Sequence, residues 1–175
     1  NGPYVSANLG EDTDDRSLFL ARLFGACRGA ATGVSEREGL VEAAHGGTLF
    51  LDEIGLLPRD VQGVLLHFLD TGVYQRFGEQ GARSRRADVR VVVGTNADLR
   101  EAVRKGTFRE DLWWRLAGIV LVVPPLRERR EDVVALLQRE RVNLGFGARP
   151  VYELITPEAR AFVEAWHWPG NFREL

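Results

Sequence analysis

The chain has 175 residues, 45% of them hydrophobic and 27% charged, and a net charge of −2. That balance suits one compact α/β domain with a small appendage and argues against bulk nucleic-acid binding, which needs a basic surplus. No apolar run approaches the roughly 18 residues of a membrane span, no signal peptide opens the chain, and the lone Cys27 excludes an internal disulfide and points to a reducing, cytoplasmic setting.

In chain order, residues 3–8 read as a short strand and residues 16–24 have helical spacing. Residues 25–33 form a glycine-rich loop, and Ser35 with Glu38 makes a capping box for a helix through Ala44. Residues 47–52 are a short apolar run bounded by glycines, the pattern of a buried parallel strand. Pro58 suits the first turn of a helix that carries Val61, Leu65, Leu66 and Leu69 on one face. Residues 71–87 predict a hairpin with an arginine-rich turn, and the valine-rich residues 89–95 a second buried strand. Short helices follow over 99–105 and 108–115, then a third buried strand over 119–123, stopped by Pro124 and Pro125.

Beyond the prolines the pattern is helical only. A helix spans 131–144, a linker 145–155, and a further helix opens at Thr156-Pro157 and runs to about Trp166. Pro169-Gly170-Asn171 caps a last helix. Strands alternating with helices predict a parallel sheet. The expected organisation is an α/β core over residues 1–125 and a small helical lid over 126–175.

The chemistry concentrates where residues 47–52 end. Asp52 and Glu53 follow the apolar run directly, and ligands of open α/β sheets bind outside the carboxyl ends of such strands. In nucleotide hydrolases one acid there serves Mg²⁺ and a polar neighbour orients the attacking water. The plain alternative is a strand ending at two solvated acids.

Several spaced motifs then coincide in order: Leu23-Phe24-Gly25, Gly29-Ala30-Ala31-Thr32-Gly33, Gly46 through Gly55, Gly94-Thr95-Asn96, Phe108 through Leu112, Pro124 through Arg129, and Trp168-Pro169-Gly170-Asn171-Phe172-Arg173-Glu174-Leu175. Across its whole length the chain resembles the central AAA+ ATPase domain of bacterial enhancer-binding proteins, the NtrC-like activators of sigma-54 RNA polymerase. The resemblance implies a P-loop-NTPase-type α/β core followed by a helical lid. It implies ATP and Mg²⁺ as cofactors and self-assembly into a ring, a hexamer. It also implies the sigma-54 holoenzyme as partner and DNA contact through a separate domain.

Residue by residue, Asp52 resembles the Walker B aspartate, a Mg²⁺ ligand through water, and Glu53 the glutamate that polarises the attacking water. Asn8 matches the asparagine that holds this glutamate in an inactive pose; alternatively it is a strand-end turn residue. Asn96 resembles sensor I, whose neutral amide can serve a phosphate oxygen and a water; alternatively it caps the following helix. Arg109 and Arg115 resemble the arginine fingers presented to a neighbouring subunit's nucleotide; the alternative is surface pairing with Glu110 or Asp111. Arg173 resembles sensor II, reaching the nucleotide from the lid. The loop Gly29-Ala30-Ala31-Thr32-Gly33-Val34 resembles the one that engages sigma-54. Arg83-Ser84-Arg85-Arg86 resembles the tip of a second surface loop.

The sequence departs from the family in two places. No Gly-x-x-x-x-Gly-Lys-[Ser/Thr] occurs, and Lys105, the only lysine, lies in no glycine-rich loop. The chain is therefore expected to be clipped at both ends and, by itself, inactive as an ATPase. In the sigma-54 loop, Ala31 stands where the family has phenylalanine, removing the aromatic anchor such a small loop can offer a partner. Two rival readings follow: a regulatory module of the same fold that does not activate sigma-54, and a generic AAA+ chaperone or helicase loader. The second fits less well, because the glycine-rich loop is an insertion typical of the enhancer-binding proteins.

Overall fold

The computed structural model describes residues 2–11, 16–30, 35–81, 83–143 and 148–175. They divide into two compact units, Asn1–Ile119 and Val120–Leu175. In chain order the first contains β1 (Tyr4–Asn8), α1 (Arg16–Phe24), α2 (Leu40–Ala43), β2 (Thr48–Asp52), α3 (Arg59–Thr71), β3 (Val73–Tyr74), β4 (Arg85–Arg86), β5 (Arg90–Val93), α4 (Leu99–Arg104) and α5 (Glu110–Leu116).

β2 is the middle strand of a parallel three-stranded sheet, flanked by β1 and β5. The period-2 alternation of a strand sends Leu49 and Leu51 to one face, where both are fully buried, while Thr48, Phe50 and Asp52 are half-buried on the other. Leu49 and Leu51 pack into a core with Leu23 and Phe24 of α1, Val61, Leu65 and Phe68 of α3, and Leu112 of α5. Pro58 precedes α3 as its N-cap, and Gly72, at φ 69°, ends it by donating its N–H to the Phe68 carbonyl at 2.7 Å. β3 and β4 form the expected hairpin, with Val73 opposite Arg86 and Tyr74 opposite Arg85.

Three expectations for residues 1–123 are corrected. The capping box at Ser35 and Glu38 does not form: α2 begins only at Leu40, with Gly39 as its N-cap and no side-chain cap. Tertiary pairing outcompetes the local signal, because Arg37 and Ala26 exchange backbone hydrogen bonds at 3.0 and 3.2 Å and keep this segment extended. Gly39 permits the approach, since a Cβ there would lie 2.2 Å from the Gly25 nitrogen. The valine-rich strand is shorter than 89–95 and is not buried on both faces; Val92 is 40% exposed. Residues 119–123 form no strand. A strand needs a neighbour for its N–H and C=O groups, and among the described residues none pairs with this run, whose side chains are 58–86% exposed.

The second unit contains α6 (Arg130–Arg139), β6 (Arg141–Asn143), β7 (Ala148–Pro150), α7 (Val151–Leu154) and α8 (Pro157–Ala165). Its core is Leu126, Val133, Leu137 and Trp168. The Thr156 hydroxyl caps α8, accepting from the Ala159 N–H at 3.3 Å. Here too the structure corrects the reading. α6 stops at Arg139, and the linker is partly a hairpin in which β6 pairs antiparallel with β7. Asn171 opens a single 3₁₀ turn, and its Oδ1 accepts from the Leu126 N–H at 2.7 Å.

The central strand sets the stability of the first unit. Leu51→Ala is expected to cost roughly 2–5 kcal/mol, as truncations of fully buried leucines do, seen as a lower urea midpoint for its unfolding. A loss under about 1 kcal/mol would mean that this strand does not organise the core.

Candidate active site

The site is built where β2 leaves the sheet. The Gly94 N–H donates to the Leu51 carbonyl at 2.9 Å, and the Ile54 N–H donates to the Gly94 carbonyl at 3.0 Å. Gly94 thus clasps the chain on both sides of Asp52 and Glu53. To turn between these two bonds, Glu53 adopts φ 58° and ψ 43°, the left-handed region that costs a non-glycine residue about 1 kcal/mol or more. The Asp52 carboxylate supports the turn, its Oδ1 accepting the Glu53 N–H at 3.0 Å. Residue 94 must be small, because a Cβ there would lie 2.8 Å from that same Oδ1 and 3.1 Å from the Phe50 ring.

The Glu53 side chain is held from β5's side of the sheet. Asn96 Nδ2 donates to Glu53 Oε1 at 3.0 Å. Asn96 can do so because others shape the start of α4: Asp98 is its N-cap, accepting from the Glu101 N–H at 3.0 Å, and the Thr95 hydroxyl accepts from the Ala97 N–H at 3.0 Å. Asn8 stands beside Asp52 in the register of β1 and β2. Its Oδ1 accepts from the Gly10 N–H at 2.7 Å, a strand-end turn, and Asn96 supplies the amide bound to Glu53. A Cβ on Gly10 would sit 3.1 Å from Asn8 Oδ1 and 4.0 Å from Glu53 Cγ, so Asn8 and Glu53 flank the same glycine.

The structure therefore brings Asp52, Glu53, Asn96 and Asn8 to one edge of the sheet. As a single hard oxygen donor, Asp52 suits a Mg²⁺ that keeps most of its waters and takes phosphate oxygens.

Arg109 and Arg115 lie on the α3–α5 side of this unit, and each is engaged within the chain. Arg109 grips Asp111 with two parallel bonds, Nε to Oδ1 at 2.9 Å and a terminal nitrogen to Oδ2 at 2.6 Å. The Arg109 bond holds the Asp111 carboxyl below the usual carboxylate range, and Asp111 raises the already high Arg109 value in return. Arg115 pairs with Asp70 at 3.1 Å and donates to the Leu69 carbonyl at 2.6 Å, a cation at the C-terminal end of α3. Arg173 is exposed on the last 3₁₀ turn of the second unit. Trp113 packs partly against the first core under Arg100, while Trp114 is 68% exposed.

Gly29 and Ala30 of the glycine-rich loop are described; Ala31, Thr32, Gly33 and Val34 lie outside the described residues. The loop's base is stitched to the hairpin segment. The Cys27 N–H donates to the Phe77 carbonyl at 3.0 Å and the Phe77 N–H to the Gly25 carbonyl at 2.8 Å. Beneath it, Arg76 binds Glu42 at 2.7 Å, and Arg85 of the arginine-rich stretch reaches Glu79 at 3.5 Å.

Residues 1–122 match the family model described as the Sigma-54 interaction domain. The chain belongs to this family. It is 41% identical over 176 residues to the Nif-specific regulatory protein of Herbaspirillum seropedicae, an alignment covering 100% of the chain and 32% of that relative. To the DNA-binding transcriptional regulator NtrC of Azospirillum brasilense it is 43% identical over 176 residues, covering 100% of the chain and 36% of the relative. The crystal structure of NtrX from Brucella abortus in complex with ADP superposes with a TM-score of 0.77 at 32% identity, covering 99% of the chain and 37% of NtrX. The NtrX complex with ATP gives a TM-score of 0.76 at the same 32% identity. The α/β fold read from the sequence is thus the one observed, and the chain spans about a third of the length of these curated relatives.

One residue of this sigma-54 interaction domain that sequence reasoning missed is Gln62, fully buried on α3. Its signal was present, since position 62 shares the helical stripe of Leu65, Leu66 and Leu69, where a polar residue needs a buried partner.

The Arg109–Asp111 pair has a measurable signature. Because the folded Asp111 value is depressed, the pair persists while pH falls through the ordinary carboxylate range and is lost only below it. A carboxyl-carbon NMR titration should place the Asp111 midpoint below that of a model aspartate and return it toward the model value in Arg109→Ala. An ordinary midpoint in the unsubstituted chain would show that the pair does not hold in solution.

Proposed function

We propose that this chain is the ATPase module of a sigma-54-dependent transcriptional regulator, hydrolysing ATP at subunit interfaces of a ring, a hexamer by resemblance, to remodel RNA polymerase holoenzyme in the cytoplasm. The observation that carries the proposal is the Asp52–Glu53–Asn96 arrangement at the carboxyl edge of a parallel sheet, in a chain of the Sigma-54 interaction domain family. Support for nucleotide comes from NtrX, solved with ADP and with ATP. Support for separate DNA contact comes from a much longer relative named as a DNA-binding regulator, of which the chain covers 36%. No helix among the described residues is long and apolar enough to cross a membrane.

Bound Mg–ATP would supply the phosphoryl group and a divalent cation that offsets the negative charge of the phosphates. Asp52 would hold the metal through water. A Glu53 carboxylate oxygen would orient the attacking water and accept its proton. Asn96, already bonded to Oε1, would keep that carboxylate aimed and offer its amide to phosphate or water. Arg109 and Arg115 would serve the neighbouring subunit's site, exchanging Asp111 and Asp70 for phosphate oxygens. Arg173 would act from the second unit. The phosphate-cradling loop is not encoded in these 175 residues, so the proposed site is complete only in a longer protein that supplies one.

In such a full-length protein, Glu53→Gln should lower ATP turnover by about 10²-fold or more, the scale of losing a general base, while nucleotide binding persists. Full turnover would sink the assignment of Glu53. The same assay on the 175-residue chain alone should remain at background; turnover above background that Glu53→Gln abolishes would contradict the need for a phosphate-cradling loop.

The proposed partner contact is weakened by Ala31, so a second reading, a module that assembles without activating sigma-54, rests on that residue. Ala31→Phe in the full-length protein should increase its binding to sigma-54 and its remodelling of the promoter complex. If the unsubstituted protein is already as active as the Ala31→Phe variant, the impaired-contact idea fails.

A further inference from the structure

The turn that presents Arg109 is built on α3. Gln62 is the only polar or charged residue among the fully buried residues of the described chain, and three of its hydrogen-bonding positions are filled. Its Oε1 accepts from the Arg109 backbone N–H at 2.8 Å. Its Nε2 donates to the Thr107 carbonyl at 3.1 Å and to the Leu57 carbonyl at 2.8 Å. Leu57 closes the 3₁₀ turn that begins directly after Glu53, where its N–H donates to the Ile54 carbonyl at 3.3 Å. One buried amide therefore ties the end of the Glu53 turn to the backbone of Arg109.

Neighbouring contacts reinforce the tie. Arg59, in the first turn of α3, donates to the Gly106 carbonyl. The Phe108 ring, 1% exposed, anchors the same turn in the core. The Arg109 guanidinium passes over Gly63, whose notional Cβ would lie 3.7 Å from it. α3 thus carries a paired device: Gln62 fixes the arginine's backbone, and Gly63 leaves space for its side chain.

We infer that Gln62 is a positioning residue that couples the Glu53 turn to Arg109. The inference rests on the proposed role of Arg109 at a neighbouring subunit's nucleotide. In a ring, Glu53 and Arg109 of one chain would serve two different interfaces. A shift of the Glu53 turn would then pull on Leu57, and through Gln62 on the arginine that completes the adjacent site. An apolar residue of similar length would fill the same space while breaking all three bonds, and it would leave the part-buried Arg109 N–H without its acceptor.

Two measurements test this, chosen so that the link and the reading beneath it fail separately. In the 175-residue chain, Gln62→Met should accelerate hydrogen exchange of the Arg109 amide by about tenfold or more, while the Gly94 amide, bonded to Leu51 in the sheet, keeps its protection. Unchanged exchange at Arg109, or an equal loss at both amides, would overturn the inference, the latter by showing a general structural role. In the full-length protein, Gln62→Met should lower ATP turnover on the normal background and add nothing to Arg109→Ala. A further drop on the Arg109→Ala background would also overturn it. Undiminished turnover in Arg109→Ala alone would instead refute the role proposed for Arg109, with the exchange result standing.

Discussion

The first unit depends on the clasp that Gly94 makes around the end of β2. Two backbone hydrogen bonds, one to Leu51 and one from Ile54, hold the chain before and after the two acids. Within that span the backbone cannot continue as a strand, so Glu53 turns through the left-handed region. The strain is sustained because the surroundings over-determine it: the Asp52 carboxylate takes the Glu53 N–H, and fully buried Leu51 and Ile54 fix the residues on either side. The result is a carboxylate lifted off the sheet edge and steadied by Asn96 from the connection that follows the adjoining strand.

The second constraint is a buried polar network of a single side chain. Gln62 occupies a position where an aliphatic residue would satisfy the core, and its amide is fully enclosed. Such a group is tolerated because the bonds it makes replace those it loses to water. Those bonds fall on two turns far apart in sequence, and this makes the α4–α5 connection a defined shape rather than a free loop. The arginines beyond it are held by carboxylates of their own chain, Arg109 by Asp111 and Arg115 by Asp70.

Much of this was legible in the sequence because its signals were local. The apolar run ending at Asp52-Glu53, the Pro58 helix start, the Thr156 cap and the residues 71–87 hairpin all reappear in the structure. Failures came where a distant partner decides. Ser35 and Glu38 spell a capping box, yet Arg37 pairs with Ala26 instead. Residues 119–123 are as apolar as a core strand, but hydrophobicity does not say whether a neighbouring strand is present. Arg141-Val142-Asn143 and Ala148-Arg149-Pro150 carry little strand character of their own and pair because the hairpin brings them together. Asn8 reads as the residue holding Glu53 or as a strand-end turn, and Asn96 as sensor I or as a helix cap. In the structure Asn8 accepts from Gly10 in the turn and Asp98 caps α4, so the Asn96 amide is the one bonded to Glu53.

On the proposed function, one chain contributes Glu53 to its own site and Arg109 to its neighbour's. ATP turnover by full-length rings mixed from Glu53→Gln subunits and Arg109→Ala subunits reads this division of labour without an intermediary. Each variant alone should retain only a small residual turnover, and mixing should restore turnover at interfaces that pair an intact Glu53 with an intact Arg109. Mixed rings that assemble yet stay as inactive as either parent would show that the two residues do not meet across an interface.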